Sequence, residues 1–408
     1  MLTTVHAFAT GADPRSVGAL LRVDGGALQA PWLVWLPDLL ATTLLWSVMS
    51  LYVAGGLYWL FEMGVYGWRY EEPSREYGPE DVQVRLLTID AESVVQQSVD
   101  RLPAELRYRY VIAETPMEVS GAEVRVVPDS FECTATNKGR ALEWARRTID
   151  CDAEFVLYLD EDSHVLEFDG LPDADIVKLT EHPRRTSSLL TYLAEVNRIG
   201  FQIEQRAFPS ISVPLYAWGG GLAVRKSLED EVTWDYPTVI EDTVFLWRAY
   251  VEAGASFSYI PDRVSNQAPP SLWAMFRQRR RWIAGAREDN DILSLDRVLM
   301  YGIRDLSWSV TGLIPVLVIV SYVPVVELMF FEAYGTISVV LLGMLVVWVL
   351  LGIALRRPSR KVAVLCLFLA PITTVLHSVG ALWGVLSPPT TFEVTEKVEE
   401  DAESAADN

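Results

Sequence analysis

The sequence predicts an α/β domain with a mostly parallel sheet flanked by helices, inserted between transmembrane α-helices. The chain has 408 residues, 50% of them hydrophobic, and its long apolar stretches lie towards its two ends. Between them, short apolar runs alternate with helical patterns, which favours parallel strands joined by crossover helices. Three acidic residues follow one of these runs, at the edge where such a sheet binds ligands.

Four apolar stretches are long enough to cross a bilayer, since a spanning helix needs about 20 apolar residues. They are Leu39–Phe61, Leu306–Met329, Gly335–Leu355 and Val362–Leu386. Core helices of a soluble protein are the alternative, but such long stretches with almost no charge favour a membrane. The basic segment 356–361 separates the last two, and basic loops face the cytoplasm. We therefore expect an integral protein of the cell membrane with a cytoplasmic middle region.

The predicted organisation has six parts. They are an N-terminal segment (1–38), a transmembrane helix (39–66), a cytosolic α/β domain (67–270), an amphipathic interfacial helix (271–290), three transmembrane helices (306–386) and an acidic tail (387–408). The tail is predicted to be disordered, because it is rich in acidic residues and poor in apolar ones.

Within the α/β domain, apolar runs bounded by turn residues predict strands at 82–88, 108–113, 123–127 and 154–159. Helices are predicted at 91–102 and 137–148. The run at 154–159 is continuously apolar, which is typical of a buried parallel strand.

The composition excludes one class of function. The formal net charge is −20, with 34 Lys and Arg against 54 Asp and Glu, so the chain lacks the basic footprint that nucleic-acid binding needs. Lysine is scarce, and an acidic, lysine-poor surface favours a salt-loving (halophilic) source. The three cysteines show neither disulfide nor zinc spacing, which fits a reducing compartment.

Three consecutive acidic residues, Asp160, Glu161 and Asp162, follow the strand predicted at 154–159. Carboxylates crowded at a strand end repel one another unless a cation lies among them. Their hard oxygen atoms suit Mg²⁺ or Mn²⁺, which in turn can hold phosphate oxygens. A solvated acidic turn is the alternative, because an Asp-x-Asp pattern alone is common. Asp160 and Asp162 are the candidate metal ligands.

A second acidic pair, Glu241 and Asp242, precedes an apolar helical stretch. Acids in this position can simply cap the helix and interact with its dipole. The functional interpretation makes Asp242 a general base that takes a proton from an acceptor hydroxyl.

An arginine run stands in the helical stretch Ser271–Ala286, where apolar side chains alternate with basic ones. An amphipathic helix on the cytoplasmic membrane face would explain the run. The alternative gives Arg281 a diphosphate to bind and Trp282 a sugar ring to stack on.

Two further segments could contact a ligand. Lys138 and Arg140 open the helix predicted at 137–148, and a helix N-terminus with positive charge suits phosphate. Trp218 precedes Gly219 and Gly220, and the glycines permit close approach of a ligand or a positive φ. A surface helix face and a plain turn are the respective alternatives.

The order of these motifs resembles that of the membrane-bound family-2 glycosyltransferases, which include cellulose, chitin and hyaluronan synthases. The family's D-x-D, T-E-D and Q-x-x-R-W motifs correspond to Asp160-x-Asp162, to residues 240–242 and to Gln278, Arg281 and Trp282. A closer likeness is to Egghead-type β-1,4-mannosyltransferases, and it covers about residues 82–287. It rests on NKGRAL at 137–142, LDEDS at 159–163 and QRRRWIAG at 278–285.

The resemblance implies a GT-A-like fold, a nucleotide-sugar donor and a Mg or Mn cofactor. Implied nucleotide- or diphosphate-binding residues are Thr88, Glu114, Lys138, Arg140, Gln278 and Arg281, and implied acceptor-binding residues are Trp218, Gly219, Gly220 and Trp282. Asp242, with Glu241 beside it, corresponds to the base. Two residues differ from the family's pattern: Glu114 stands where the family usually has Asp, and Ile240 replaces the Thr of T-E-D. The resemblance therefore does not identify the sugar or the nucleotide base of the donor.

These likenesses predict a metal-dependent, inverting hexosyltransferase. It would move a hexose, in the nearest likeness mannose, from GDP-mannose or a UDP-hexose to a lipid-linked or glycolipid acceptor, forming a β-linkage. The alternatives are a processive polysaccharide synthase, which uses the same motifs, and a non-catalytic membrane protein that only binds nucleotide. Such a binder would not need a base at Asp242.

Overall fold

A computed structural model describes residues 32–211, 214–322 and 330–389, with Thr395 and residues 397–399. The predicted N-terminal segment lies mostly outside these residues, as does the end of the predicted span Leu306–Met329.

The domain is built on one eight-stranded sheet. Its strands are β1 (Val82–Thr88), β2 (Tyr108–Ala113), β3 (Glu123–Val126), β4 (Phe155–Asp160), β5 (His164–Val165), β6 (Ile176–Arg184), β7 (Leu222–Arg225) and β8 (Phe257–Gln267). The order across the sheet is β3-β2-β1-β4-β7-β6-β8-β5.

The first half of this sheet is parallel and the second half is mixed. β3, β2, β1 and β4 pair in parallel, as do β6 and β8, whereas β7 runs antiparallel to both β4 and β6. The short β5 pairs antiparallel with β8. The predicted α/β class with a mostly parallel sheet is confirmed. The strand pattern predicted β1 to β4 but none of the four later strands, β5, β6, β7 and β8.

The helices are, in chain order, α1 (Trp32–Phe61), α2 (Glu92–Asp100), α3 (Asn137–Thr148), α4 (Leu189–Ile199), α5 (Lys226–Val232), α6 (Glu241–Ala253), α7 (Leu272–Glu288), α8 (Leu295–Val310), α9 (Ile314–Tyr322), α10 (Phe331–Arg356), α11 (Arg360–Phe368) and α12 (Ala370–Leu386). Shorter helical turns join several of them, including a 3₁₀ segment at Gly200–Ser210 after α4 and another at Thr311–Leu313 between α8 and α9.

The core lies on both faces of the sheet, since successive strand residues point to opposite sides. On β4, Val156 and Tyr158 join one apolar cluster, while Leu157 and Leu159 join the other. All four side chains are buried. Both faces of the sheet are therefore covered by packed side chains, and its strand ends are open to a ligand.

Among the described residues, two helices are long and apolar enough to cross a membrane, Asp38–Arg69 and Glu332–Arg356. The pair α11 and α12 adds a third if it counts as one span, because the two helices meet at a bend of 70°. Pro371 lies in the first turn of α12, where its missing N–H and its ring oppose a continuous helix. The sequence predicted about four membrane spans, and the described residues contain two or three helices that could be such spans.

The predicted amphipathic helix is α7, and its face is covered by protein. Gly380 and Gly384 of α12 lie against the backbone of α7, so closely that an added Cβ would meet Phe276 O and Arg280 O at 2.5 and 2.6 Å. Such close approach needs glycine, because any side chain would collide with the neighbouring backbone. The two glycines therefore allow α12 to pack directly against α7.

Candidate active site

A cavity of about 660 Å³ lies at the carboxyl ends of β1 and β4 and continues between α1, α8, α10 and α12. All but one of the site residues predicted from the sequence line it. They are Thr88, Glu114, Lys138, Arg140, Asp160, Trp218, Gly219, Gly220, Glu241, Asp242, Gln278, Arg281 and Trp282. The exception is Asp162, which is fully buried.

Lys138 joins acidic residues from two distant segments. Its ammonium nitrogen lies 2.7 Å from Asp160, at the end of β4, and 3.1 Å from Glu241, at the start of α6. Burial alone would lower the Lys138 pKa, but Asp160, Glu241 and Asp242 together raise it above its ordinary value. The lysine therefore remains charged and holds the two segments together.

The glycine segment allows this convergence. A Cβ atom on Gly219 would lie 2.9 Å from Asp242 Oδ2, 3.0 Å from Lys138 Nζ and 3.5 Å from Asp160 Oδ2. All three atoms thus surround one point, so one ligand can reach both aspartates. Gly221 has a φ of 75°, a conformation that favours glycine.

The carboxyl group of Asp242 is placed to act on a proton. Withdrawal from water, with the nearby Glu241 carboxylate, raises its pKa to about 7, although Lys138 acts in the opposite direction. Its Oδ1 accepts a hydrogen bond from the Thr243 N–H at 2.7 Å, which leaves Oδ2 towards Gly219. A base with a pKa near neutrality can take a proton and later release it.

Asp162 contacts the C-terminal tail instead of the cavity. Its Oδ2 accepts a hydrogen bond from the Gln267 N–H at 2.6 Å, and its Oδ1 lies 2.6 Å from the Lys397 ammonium. Val398 exchanges two hydrogen bonds with the Gln267 side chain. Residues 397–399, within the tail that the sequence predicts to be disordered, thus lie beside the site, where Lys397 pairs with a buried carboxylate.

The chemistry of the two aspartates fits a divalent cation. Both offer hard carboxylate oxygens at one strand end. Each already forms an ion pair with a lysine, Asp160 with Lys138 and Asp162 with Lys397. Burial would raise the pKa of Asp160, but the two ammonium groups lower it below its ordinary value. Among the described residues, no group of three or more His, Cys, Asp or Glu side chains forms a cage, so a cation would need further ligands from a substrate.

The three consecutive arginines of α7 have different surroundings. Arg279 is fully buried, forms an ion pair with Glu195 and lies 4.2 Å from the Trp282 ring. Arg280 donates to the Ser387 carbonyl at 2.7 Å, away from the site. Arg281 lines the cavity; burial lowers its pKa, while the carboxylates of the site favour its charged form. Only Arg281 therefore has the position predicted for a diphosphate ligand.

Two side-chain pairs line the cavity where β1 and β2 end. Arg140 contacts Glu114 at 3.0 Å and donates to the Pro128 carbonyl at 2.6 Å. The Thr88 hydroxyl donates to Glu161 at 2.7 Å, and burial raises the pKa of Glu161. Arg140, predicted to bind phosphate, thus lies beside Glu114, while Lys138 is the cation beside Asp160.

Sequence reasoning missed Arg198 and Asn266. The Arg198 guanidinium lies 4.1 Å from the Trp218 ring and 5.7 Å from the Trp282 ring, so it joins the two predicted acceptor-binding tryptophans. Asn266 accepts from the Ser163 hydroxyl at 2.7 Å and lies against Gly220. No local motif marks either residue, whereas the scarcity of lysine could have drawn attention to Lys397.

Comparison with known proteins gives the class. The model of the family described as "Glycosyl transferase family group 2" matches residues 155–351. This segment contains the acidic pairs at Asp160 and Asp242 and the Gln278–Trp282 motif. Residues 155–351, just under half of the chain, therefore match a glycosyltransferase family 2 domain.

The chain is also similar to individual proteins. The chain is 24% identical over 302 residues to "Beta-1,4-mannosyltransferase egh" of Drosophila melanogaster, and the alignment covers 67% of this chain and 66% of the relative, just under two thirds of its length. A mannosyltransferase from Pyrobaculum calidifontis, solved with GDP-Man and Mn²⁺, aligns with a TM-score of 0.42 and 11% identity over 77% of this chain and 99% of that one. A glucosyl-3-phosphoglycerate synthase from Mycobacterium tuberculosis aligns with a TM-score of 0.35 and 15% identity, covering 52% and 81%.

Proposed function

We propose that the protein transfers a hexose, such as mannose, from a nucleotide-sugar to a membrane-associated acceptor with inversion at the anomeric carbon. One observation carries the proposal: Asp160, Lys138 and Asp242, from three separate elements, surround a single point beside Gly219. A cation-binding carboxylate, a positive charge and a base are the groups that such a transfer needs in one place.

In this mechanism the donor diphosphate lies at the strand ends. Lys138 and Arg281 present positive charge where the leaving diphosphate gains negative charge. Arg281 can bind two phosphate oxygens with its planar guanidinium. Asp160 and Asp162 would hold a divalent cation, Mg²⁺ or Mn²⁺, which would neutralise further charge on the diphosphate.

Asp242 supplies the base. Its carboxylate takes the proton of an acceptor hydroxyl, whose oxygen bonds to the anomeric carbon while the bond from that carbon to the diphosphate oxygen breaks. The nucleoside diphosphate leaves and carries the electron pair of the broken bond. With one base and no enzyme nucleophile, a single displacement inverts the configuration, so an α-linked donor gives a β-linkage.

The acceptor sugar would lie against Trp218 and Trp282. Aromatic rings offer apolar faces to a sugar ring, and Arg198 between them can donate to its hydroxyl groups. Because the cavity continues between helices of membrane-spanning character, we infer a lipid-linked or glycolipid acceptor. The protein would then lie in the cell membrane with its catalytic domain in the cytoplasm.

The test uses the full-length protein in lipid nanodiscs. Release of nucleoside diphosphate is measured from GDP-mannose, UDP-glucose and other nucleotide-sugars, with Mn²⁺, with Mg²⁺ and with a chelator. We expect release from one donor class that requires the metal. Donor binding without release from any of them, with or without lipid extract as acceptor, would favour a non-catalytic nucleotide-binding protein.

The processive synthase is a second candidate, since the cavity extends beyond the strand ends towards the helices, where a growing chain could pass. Product length from a radiolabelled donor separates the two. A single added hexose supports the transferase proposed here, and a ladder of products supports the synthase.

A further inference from the structure

The segment 215–221, which precedes β7, runs through the protein interior without forming a helix or a strand. Leu215, Tyr216 and Ala217 in this segment are all buried. Their backbone N–H and C=O groups lie outside the hydrogen-bond ladder of the sheet, and buried groups of this kind nearly always find other partners. Those partners therefore determine the position of Gly219, which lies beside both aspartates of the site.

Side chains of α6 supply partners for this backbone. The Thr243 hydroxyl donates to the Ala217 carbonyl at 3.0 Å and accepts from the Ala217 N–H at 3.2 Å. One turn further along α6, the Trp247 side-chain N–H donates to the Leu215 carbonyl at 3.1 Å. Both α6 side chains are buried, so water does not compete for these bonds. The helix that carries Asp242 therefore holds three backbone groups of the segment.

The other end of the segment is tied to the sheet. Lys178 in β6 is fully buried, and its ammonium group donates to the Gly220 carbonyl and, at 2.9 Å, to the Leu179 carbonyl. Gly219 therefore lies between an anchor on α6 and an anchor on β6. Since the proposed base belongs to α6, the α6 anchor fixes the distance between Gly219 and that base.

Thr243 contacts both the base and the segment. Its backbone N–H donates to Asp242 Oδ1 at 2.7 Å, and Asp242 Oδ2 lies 2.9 Å from the position that a Cβ atom on Gly219 would take. Every residue type except proline has this N–H, whereas the bonds to Ala217 need a hydroxyl group. The side chain at position 243 can therefore be changed while the contact between its backbone and the base remains.

We propose that Thr243 is a positioning residue, whose hydroxyl group holds the segment with Trp218 and Gly219 at the distance from Asp242 that transfer requires. This inference rests on the proposed function, in which Asp242 is the base and Trp218 contacts the acceptor. A displacement of about 1 Å between reacting groups can lower a rate about 10²-fold. The hydroxyl group therefore acts on turnover, and the donor diphosphate at the strand ends binds as before.

The test compares three variants of the full-length protein in lipid nanodiscs. Thr243→Val replaces the hydroxyl group by a methyl group of similar size, and Thr243→Ser keeps the hydroxyl group. Thr180→Val is the matched control, because Thr180 and Thr243 are both 6% exposed. The Thr180 hydroxyl also has two protein partners, the Tyr259 hydroxyl at 2.7 Å and the Ile260 carbonyl at 2.8 Å, and Thr180 does not line the cavity.

The first readout is steady-state release of nucleoside diphosphate. We expect Thr243→Val to lower kcat about 10- to 100-fold and to leave the donor KM unchanged. The acid limb of its kcat/KM profile should also stay in place, since the charges around Asp242 are the same. Thr243→Ser and Thr180→Val should keep most of the wild-type kcat. A wild-type kcat in Thr243→Val, or an equal loss in Thr243→Ser or Thr180→Val, overturns the proposal.

The second readout is hydrogen exchange measured by mass spectrometry, which tests the anchor without turnover. The Ala217 N–H loses its acceptor in Thr243→Val, so peptides covering 215–221 should exchange faster than in the wild type, in Thr243→Ser and in Thr180→Val. Unchanged exchange overturns the proposal. Failure of the proposed function is distinguishable, because the wild type would then release nucleoside diphosphate from no donor. An active wild type beside an equally active Thr243→Val removes this inference alone.

Discussion

The end of β4 and the start of α6 contribute aspartates to the same cavity, but their surroundings shift the two pKa values in opposite directions. At β4, the ammonium groups of Lys138 and Lys397 outweigh burial and lower the pKa of Asp160. At α6, burial and Glu241 outweigh Lys138 and raise the pKa of Asp242 to about 7. One aspartate is suited to hold positive charge, and the other to take up a proton.

Residue type alone therefore does not determine the role of a carboxylate. Both residues are aspartates beside a glutamate, and both touch the region around Gly219. Their difference arises from which cations lie near them and how far water is excluded.

The largest effect is expected for Asp242→Asn. An amide cannot take a proton, so we expect kcat for transfer to fall by about 10²–10⁴ while donor KM stays close to wild type. Steady-state kinetics with the donor identified above measures both constants. Asp173→Asn, at an acid whose side chain is 60% exposed, is the matched control. Normal turnover of Asp242→Asn would show that the base lies elsewhere.

The β4 end should respond differently. Asp160→Asn and Asp162→Asn each remove a negative charge that would bind the cation, so we expect the half-activating Mn²⁺ concentration to rise about tenfold or more. Higher Mn²⁺ should restore part of their activity. The same titration should not rescue Asp242→Asn, and a rescue there would remove the distinction between the two ends.

The pH profile provides a third comparison. A base must be deprotonated to act, so kcat/KM, which reports the free enzyme, should be highest above the Asp242 pKa and should fall as pH falls through about 7. Glu241→Gln removes a charge that raises this pKa, so its acid limb should move to lower pH. Lys138→Met removes a charge that lowers it, so its acid limb should move to higher pH. Shifts in the same direction would contradict the assignment.

The smallest effect is expected for Lys397→Met. Lys397 pairs with Asp162 and is remote from the α6 end, so its loss should favour a competing cation at Asp162. Without the ammonium group one Asp162 oxygen is free for the cation, so we expect the half-activating Mn²⁺ concentration to fall up to about fivefold. The acid limb of the pH profile should shift less than in Lys138→Met. A larger shift would show that Lys397 acts on Asp242 as strongly as Lys138 does.

Four of the eight strands, β1 to β4, could be predicted from local patterns. β1, β2 and α3 begin and end at the predicted residues, since period and boundary signals are local properties of the chain. The number of spans could not be predicted in the same way. The helix bend at Pro371 depends on how α11 and α12 pack, and hydropathy does not record it.

For the site, the sequence determined which residue types were present and where along the chain they stood. Acids after a buried strand, acids at a helix start and arginines beside Trp282 all follow from local order, so they could be recognised one motif at a time. The sequence could not separate Arg279 from Arg281, because neighbours on a helix point in different directions and only packing buries one of them against Glu195.

Tertiary structure alone decided how these groups act together. Lys138 bridges Asp160 and Glu241 across about a hundred residues of chain, and the pKa of Asp242 results from that neighbourhood. Trp59 and His377 share a cavity only because helices from opposite ends of the chain meet. Electrostatic and hydrogen-bonding energies depend on distance in space, whereas a sequence records only distance along the chain.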